Sequence, residues 1–488
     1  MKTKLTLTFL LALFFSFSLV AQNADDASDD NSDFEIPDIE HVTEGIRGNF
    51  NLSTIGDQYF IGFRFKPELS FGKLGFGLDM PLLLNLTTKE LRLDEFQDGV
   101  GALRMIRFVR FGVKKRDAFY FRIGELSDAR LGFGMILNDY NNSISFEKRK
   151  LGAEFDIVIK EKFGLEVIYS DLNFASLNLL GIRPYFKPFG ATKIPIVKTI
   201  EIGAGFVTDH DKTAIAHDDI IDYRSNYFIE SGINSFAVDM GLYLLNFNWL
   251  RWNIYAQAGY MPKITGDSLT NYIDLSTDNF VKDYKAGSGW GIGSDFKFKF
   301  IGNLIRVNFR AERYWHSDYY KTRFFDFAYE LNKDESVLTL INSREDQGMY
   351  FNLGATVLDK VVLQGNIIFD DQINEEHPAL MSVGLDMSGI VDKLTFYTSM
   401  QKAELTSFSD IFKFDDATLF NTFAAWRVFE VPVVNLQFDA GIDIKWTYAF
   451  LSNGDFEATR YVSPFFAMKF VTDKKKAKNK EPGDISNQ

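Results

Sequence analysis

The sequence predicts an all-β protein, a single closed, antiparallel, up-and-down transmembrane β-barrel of about 18–20 strands (range 16–20). Three observations carry that prediction. Apolar and polar residues alternate with a period of two through most of the chain. Short turns alternate with long loops. Past residue 21 no uninterrupted apolar run exceeds about five residues, whereas a membrane-spanning helix needs roughly 20. The chain has 488 residues, of which 16% are aromatic, too many for general disorder.

Residues 1–21 read as a cleavable export signal. Lys2 and Lys4 form a basic start, Phe9 to Phe15 an apolar core, and Ala21 a small residue before the cut at Gln22. The core is too short to span a bilayer. Residues 22–45 are polar and rich in Asp and Glu, which predicts a solvated, disordered periplasmic segment. Without Lys2 and Lys4 the 53 basic residues become 51 against 66 acidic ones, a net charge near −15. Phosphate backbones need a cationic surface, so nucleic acid is excluded as a partner. The absence of cysteine excludes thiol catalysis and Cys-ligated metals, and suits an exported protein without disulfides.

The barrel region is 46–471. A strand turns successive side chains to opposite faces, so strict alternation means two different surroundings. In the stretch from Leu304 to Glu312, Ile305, Val307, Phe309 and Ala311 alternate with Arg306, Asn308, Arg310 and Glu312. From Val434 to Trp446, Leu436, Phe438, Ala440, Ile442, Ile444 and Trp446 share one face; Gln437, Asp439, Gly441, Asp443 and Lys445 share the other. Leu250 to Tyr260 repeats the pattern. Gly287, Gly289, Gly291 and Gly293 fall on the face of Asp295, Lys297 and Lys299, opposite Trp290, Ile292 and Phe296. They lack the spacing of a phosphate-binding loop and read as a small-residue inner face.

Short connections are predicted at 72–73, 115–117, 161–162, 248–249, 301, 358 and 391. Longer segments lie at 86–101, 127–149, 209–234, 262–285, 315–346 and 403–416. A propeller would show a blade repeat, and none is visible. A soluble sandwich has no need to gather short turns at one end and long loops at the other. A transmembrane barrel has both, with a lipid-facing apolar band around a polar lumen. Its closure satisfies every backbone hydrogen bond in lipid. The Lys-rich segment 472–488 reads as a solvated polar tail.

In its export signal, its meander and its aromatic last strand (Phe466, Met468 and Phe470 alternating with Phe465, Ala467 and Lys469), the chain resembles outer-membrane β-barrel proteins of the porin type. The resemblance is architectural. It implies the outer membrane of a Gram-negative bacterium, lipid as surroundings and small hydrophilic solutes as cargo. An even strand number with short periplasmic turns implies that both termini are periplasmic. Homo-oligomerisation or an envelope-protein partner stays open. No cofactor is implied.

With apolar faces turned to lipid, Arg64, Lys66, Arg122, Arg251, Arg306, Arg310, Asp439 and Asp443 are expected in the lumen, among other charges of both signs. Most would form cross-strand pairs. The segment 125–149 keeps Leu131, Phe133, Met135, Ile136 and Leu137 together, an unusual load for an exposed loop. It is expected either to fold inward, with Asp128, Arg130, Asp139, Tyr140 and Asn141 lining a constriction, or to extend strands above the membrane. The aromatics of 315–346 would either stack on sugars or pack as a cap over the mouth.

Enzymatic signals are few. There are five His, no G-x-S-x-G and no H-E-x-x-H. Asp209, His210, Asp211 and His217 form the one acid–imidazole group, weakly suited to a divalent metal or to a barrel-top hydrolase. About 24 residues precede the first strand after the cut, too few for the plug domain of an energised transporter. The expected function is passive diffusion of small hydrophilic solutes. The alternative is a non-conducting barrel serving a secretion or envelope complex.

Overall fold

Each strand announced by the alternation pairs antiparallel with its neighbour in the chain, and the last pairs with the first. In this computed structural model Gly45–Ile55 hydrogen-bonds to Phe456–Phe470, in a register running from Ile46 opposite Phe470 to Asn51 opposite Phe465. The sheet is therefore a closed barrel. It contains 22 hydrogen-bonded segments making 20 strands, because two strands are each broken in two. One is Leu74–Leu78 with Met80–Asn85, both paired to Gln58–Phe71. The other is Leu91–Arg92 with Ile106–Phe111, paired to those two halves in turn.

The structure describes residues 45–470 apart from 56–57, 93–100, 116, 144–149, 161, 173–177, 211–231, 264–272, 275–278, 281–284, 302–303, 331–332, 334–339, 341–342, 359, 375–376, 389, 416, 435 and 451–455. The export signal, residues 22–44 and the Lys-rich tail lie outside the described residues.

The two faces separate as the alternation requires. In Gly287–Phe300 the four glycines are buried, while Ser288, Trp290 and Ile292 are exposed. Outward-facing Phe50, Ile61, Val238, Met240, Leu353, Trp426, Phe466 and Met468 are likewise exposed. A continuous apolar exterior of this extent is far larger than a soluble monomer presents. Aromatic side chains flank it at both ends. Phe247 and Trp249 stack beside Phe298 near the short turns. Trp290 and Trp315 stack at 4.1 Å near the long loops. Trp290 and Phe298 lie on one strand, and at 3.3 Å per residue with a 35–45° tilt they are about 20 Å apart in height.

Turns at one end are short. They hold non-glycine residues in the left-handed region: Lys160 (φ 50°), Ile301 (φ 50°) and Leu358 (φ 57°). Tight hairpins demand a positive φ to match strand twist. The connection 187–200 departs from that pattern, being long and carrying a 3-10 turn at Val197–Thr199. Both described ends of the chain, Gly45 and Phe470, lie at this short-turn end.

Candidate functional site

The barrel interior is not an empty tube. The segment 125–143 leaves Phe119–Gly124 and turns into the lumen, its limbs tied by a bridge between Ala129 and Tyr140. Both backbone hydrogen bonds of that bridge are 3.0 Å. Gly132 takes φ 57° and donates its N–H to Glu166 Oε2 at 2.9 Å. A Cβ there would sit 2.5 Å from the Arg183 guanidinium, so only glycine lets the loop come this close to the wall. Phe133 then lies face to face with Tyr255 at 4.4 Å, over the space left by Gly241. Its carbonyl accepts from Arg310 at 3.4 Å. The described residues of this segment, 125–143, fold inward, and 131–137 form no strand.

A second segment enters from between Ile305–His316 and Asp346–Val357. Residues 317–330 follow Ile305–His316 and lock onto the first. Arg323 N–H donates to Met135 O (2.8 Å), Phe325 N–H to Ile136 O (3.1 Å), and Asn138 N–H to Phe325 O (3.1 Å). Around this short parallel bridge, Leu131, Met135, Ile136, Leu137 and Tyr140 pack with Tyr320, Phe324, Phe325 and Tyr329 in one buried apolar cluster. Phe325 and Tyr329 meet edge to face at 4.8 Å. The aromatics of 315–346 are therefore packed, not displayed for sugar stacking.

Charges seal this plug against the wall. Tyr329 O–H donates to Asp209 at 2.8 Å, and Lys333 pairs with Asp209 at 2.8 Å. Tyr140 and Lys150 both bond Glu330. Arg323 pairs with Glu312 at 3.0 Å and lies 3.9 Å from the Tyr350 ring centre. Burial works against the Glu330 charge, but Lys150 and Lys333 outweigh it and hold that carboxyl below its ordinary range. A depressed acid contributes stability above its unfolded value, about 4.3, and loses it as pH falls through the lower folded value. The plug is expected to hold at neutral pH and to loosen in acid. Protease nicking of 317–343 measured at pH 7 and near pH 3 should rise in acid, and the rise should be smaller in E330Q. Equal acid sensitivity in E330Q would remove Glu330 from this role.

Beside the first loop stands a buried ionic knot. Arg183 donates to Asp239 twice (2.8 and 2.5 Å), to Glu166 (3.2 Å) and to Glu201 (3.0 Å). Lys115 pairs with Glu166 at 2.7 Å and Lys114 with Glu154 at 2.5 Å. One guanidinium thus ties Phe163–Tyr169, Glu201–Asp209 and Ile233–Asn246 to its own strand, Leu180–Phe186.

The opposite wall is more open. Asp443, Lys445, Asp439 and Gln437 are only half-buried there. Tyr397, Phe423 and Phe465 form an inward aromatic stripe, with neighbours stacked at 5.1 Å. It borders a recess also lined by Asn49, Arg64, Lys66, Asp443, Tyr461 and Ser463. Arg64 is clamped by Asp79 in a bidentate pair at 2.7 and 2.6 Å.

The eight charges expected in the lumen have these positions. Arg64 and Lys66 share Asp79, and Arg310 pairs with Asp295. Arg122 donates to Glu125 O. Arg251 and Arg306 lie in register opposite Lys297 and Lys299, residues of the inner glycine face. Asp439 and Asp443 stand opposite Arg427 and Phe423. Among the five loop candidates, Arg130 is half-buried and close enough to Arg310 for the two charges to repel. Asp139 accepts from Asn366 at 2.8 Å. Tyr140 is wholly buried in the plug, Asn141 caps Ser143 N–H, and Asp128 is exposed. Asp209 is engaged by the plug, His210 packs beside Gly232, and Asp211 and His217 lie outside the described residues. Sequence reasoning missed Arg323, and it placed Phe325 only in a general cap, because the role of both depends on meeting a loop nearly 200 residues away.

Fold and interior together define a closed 20-stranded barrel with an apolar exterior and a polar lumen filled on one side by two interlocked loops. No family model and no curated protein matches the chain. Among solved structures, the chain is similar to Wzi, an outer membrane protein involved in group 1 capsule assembly in Escherichia coli and a carbohydrate-binding β-barrel. The identity is 11%, 88% of this chain and 85% of that one are covered, and the TM-score is 0.36. It is also similar to the outer membrane protein OprD from Pseudomonas aeruginosa (8% identity, 89% and 96% covered, TM-score 0.31). OpdL of the same organism gives 9% identity, 87% and 96% covered and a TM-score of 0.31.

Proposed function

We propose that this chain is an outer-membrane channel that passes small hydrophilic solutes by diffusion, without covalent chemistry. Its apolar belt suits lipid, and its half-open polar wall suits water and solute. The observation that carries the reading is the recess beside Arg64, Lys66 and Asp443, on the wall the two loops leave uncovered. Solutes would pass between the plug and this wall. Arg130 and Asp139 would set the width and the local field on the plug side, and Arg64, Lys66, Asp439 and Asp443 on the other. Rings of opposite charge across a narrow lumen tune ion preference. The short-turn end, with both termini, would face the periplasm.

A second reading has its own support. The apolar cluster between the loops is packed like a protein core, as a non-conducting barrel in an envelope complex would allow. Planar-bilayer recordings of the purified mature protein separate the two. Discrete steps of conductance are expected. A protein that migrates as a folded, heat-modifiable barrel yet gives no steps would overturn the channel reading and favour the second.

A further inference from the structure

Three strand ends at the long-loop mouth bring together side chains that are far apart in sequence. His316 ends Ile305–His316 and stands in register opposite Asp346, the first residue of Asp346–Val357. Asp370 ends Val361–Asp370 and stands opposite Gly348. All share the inward parity of Glu312 and Tyr350. His377 follows in the connection to Ala379–Asp386.

We infer that Asp346, Asp370 and His377 form a binding site for one divalent transition-metal ion of the zinc type. Their ligand atoms all lie within 4.8 Å of one another. His377 Nδ1 is 3.3 Å from Asp346 Oδ2 and 3.3 Å from Asp370 Oδ2. The centre of a triangle with two edges of 3.3 Å and a third of up to 4.8 Å is about 1.8–2.4 Å from its corners, close to zinc–nitrogen and zinc–oxygen bond lengths. One imidazole nitrogen faces two carboxylates but carries at most one hydrogen. A cation at the centre would engage all three groups at once and neutralise the pair of acids. Imidazole with carboxylate selects a borderline ion over the all-oxygen sets of calcium or magnesium.

The surroundings hold these groups in place. Tyr314 O–H donates to Asp370 Oδ1 at 2.8 Å, leaving Oδ2 toward His377. His316 Nε2 lies 3.8 Å from the same Oδ1, near enough to orient it. The His377 N–H donates to Asn374 Oδ1 at 2.9 Å, and the His377 carbonyl accepts from Asn374 N–H at 3.3 Å. Such outer contacts fix ligand orientation in metal sites. Arg313, on the same strand as His316, pairs instead with Asp371 at 2.5 and 2.6 Å. The ligands are about one-fifth exposed, so an ion can enter from the mouth.

The test is calorimetric titration of the chelator-treated mature protein, folded in detergent, with zinc chloride alone. One ion per chain is expected. H377Q and D370N should each weaken binding on the order of 10–100-fold or more. H210Q, altering the other acid–imidazole group, should bind as wild type. Heat-modifiable migration reports whether each variant is folded; should H377Q fail that check, D346N and D370N decide by the same criterion. No stoichiometric uptake by the wild type would overturn the site. So would wild-type binding by folded H377Q and D370N, or a loss seen in H210Q instead.

Discussion

Replacing Arg183 with methionine is expected to destabilise the barrel by about 3–5 kcal/mol, the range for stranding partners of a buried charge pair. Arg183 is 1% exposed and serves Asp239, Glu166 and Glu201 at once. Methionine fits the volume but leaves those acids mutually repelling, with Lys115 and the Gly132 N–H still on Glu166. The lost contacts span four strands, so the damage should be cooperative, not local. D239N should have a milder effect, because the guanidinium keeps two carboxylates and the amide can still accept one of its hydrogen bonds. K445M, on the half-buried opposite wall, should shift stability by less than about 1 kcal/mol. Urea unfolding followed by heat-modifiable migration ranks the three. An R183M midpoint equal to wild type would mean the knot is not what holds this side of the barrel.

The fold was legible because a barrel strand has only two faces, and the chain writes both. Gly287 to Gly293 beside Trp290 and Ile292 gives the parity of one strand without any knowledge of its neighbours. Parity carried over the last strands equally well, where Phe466 and Met468 face out and Phe465 and Ala467 are buried. Breaks were not legible. At Asp79 a strand is interrupted between Leu78 and Met80, and the Asp79 side chain turns to Arg64 and Lys66. Alternation runs through this position unaltered, since the cause lies on the adjacent strand. The long connection 187–200 was hidden for a similar reason. Loop length at the short-turn end has no consequence for burial, so no pattern marks it.

The interior was legible only in part. The apolar residues from Leu131 to Leu137 are costly to expose, which made an inward fold of 125–149 one of two readings and a strand extension the other. Height around a barrel is set by strand register, which alternation does not encode. That is why Arg130 and Tyr140, ten residues apart, end in different surroundings: one beside Arg310, the other sealed onto Glu330. It is also why the acid–imidazole group of adjacent residues drew attention while Asp346, Asp370 and His377 did not. Neighbours in sequence suggested a site at Asp209, yet that carboxylate is taken by Tyr329 and Lys333.

Excising residues 128–142 is expected to raise single-channel conductance several-fold. The ends to be joined, Ser127 and Ser143, flank a close approach of the two limbs, where Asn142 N–H donates to Leu126 O at 3.3 Å and Leu126 N–H to Asn142 Oδ1 at 2.8 Å. The deletion removes Phe133 from Tyr255, Gly132 from Glu166 and the first loop's share of the apolar cluster around Phe325. Wall pairs such as Arg183 with Asp239 stay intact, so the barrel should fold. The second loop then loses its hydrogen bonds from Arg323 and Phe325, and its aromatic cluster faces water on one side. A single substitution, F325A, tests the interlock alone. It should produce flickering between the native conductance and a larger one, because loop packing weakens while both loops remain. Conductance unchanged by the excision would mean the loops do not bound the solute path. A silent wild type that conducts after the excision would mean the plug closes the barrel completely, and that the protein waits for something to move it.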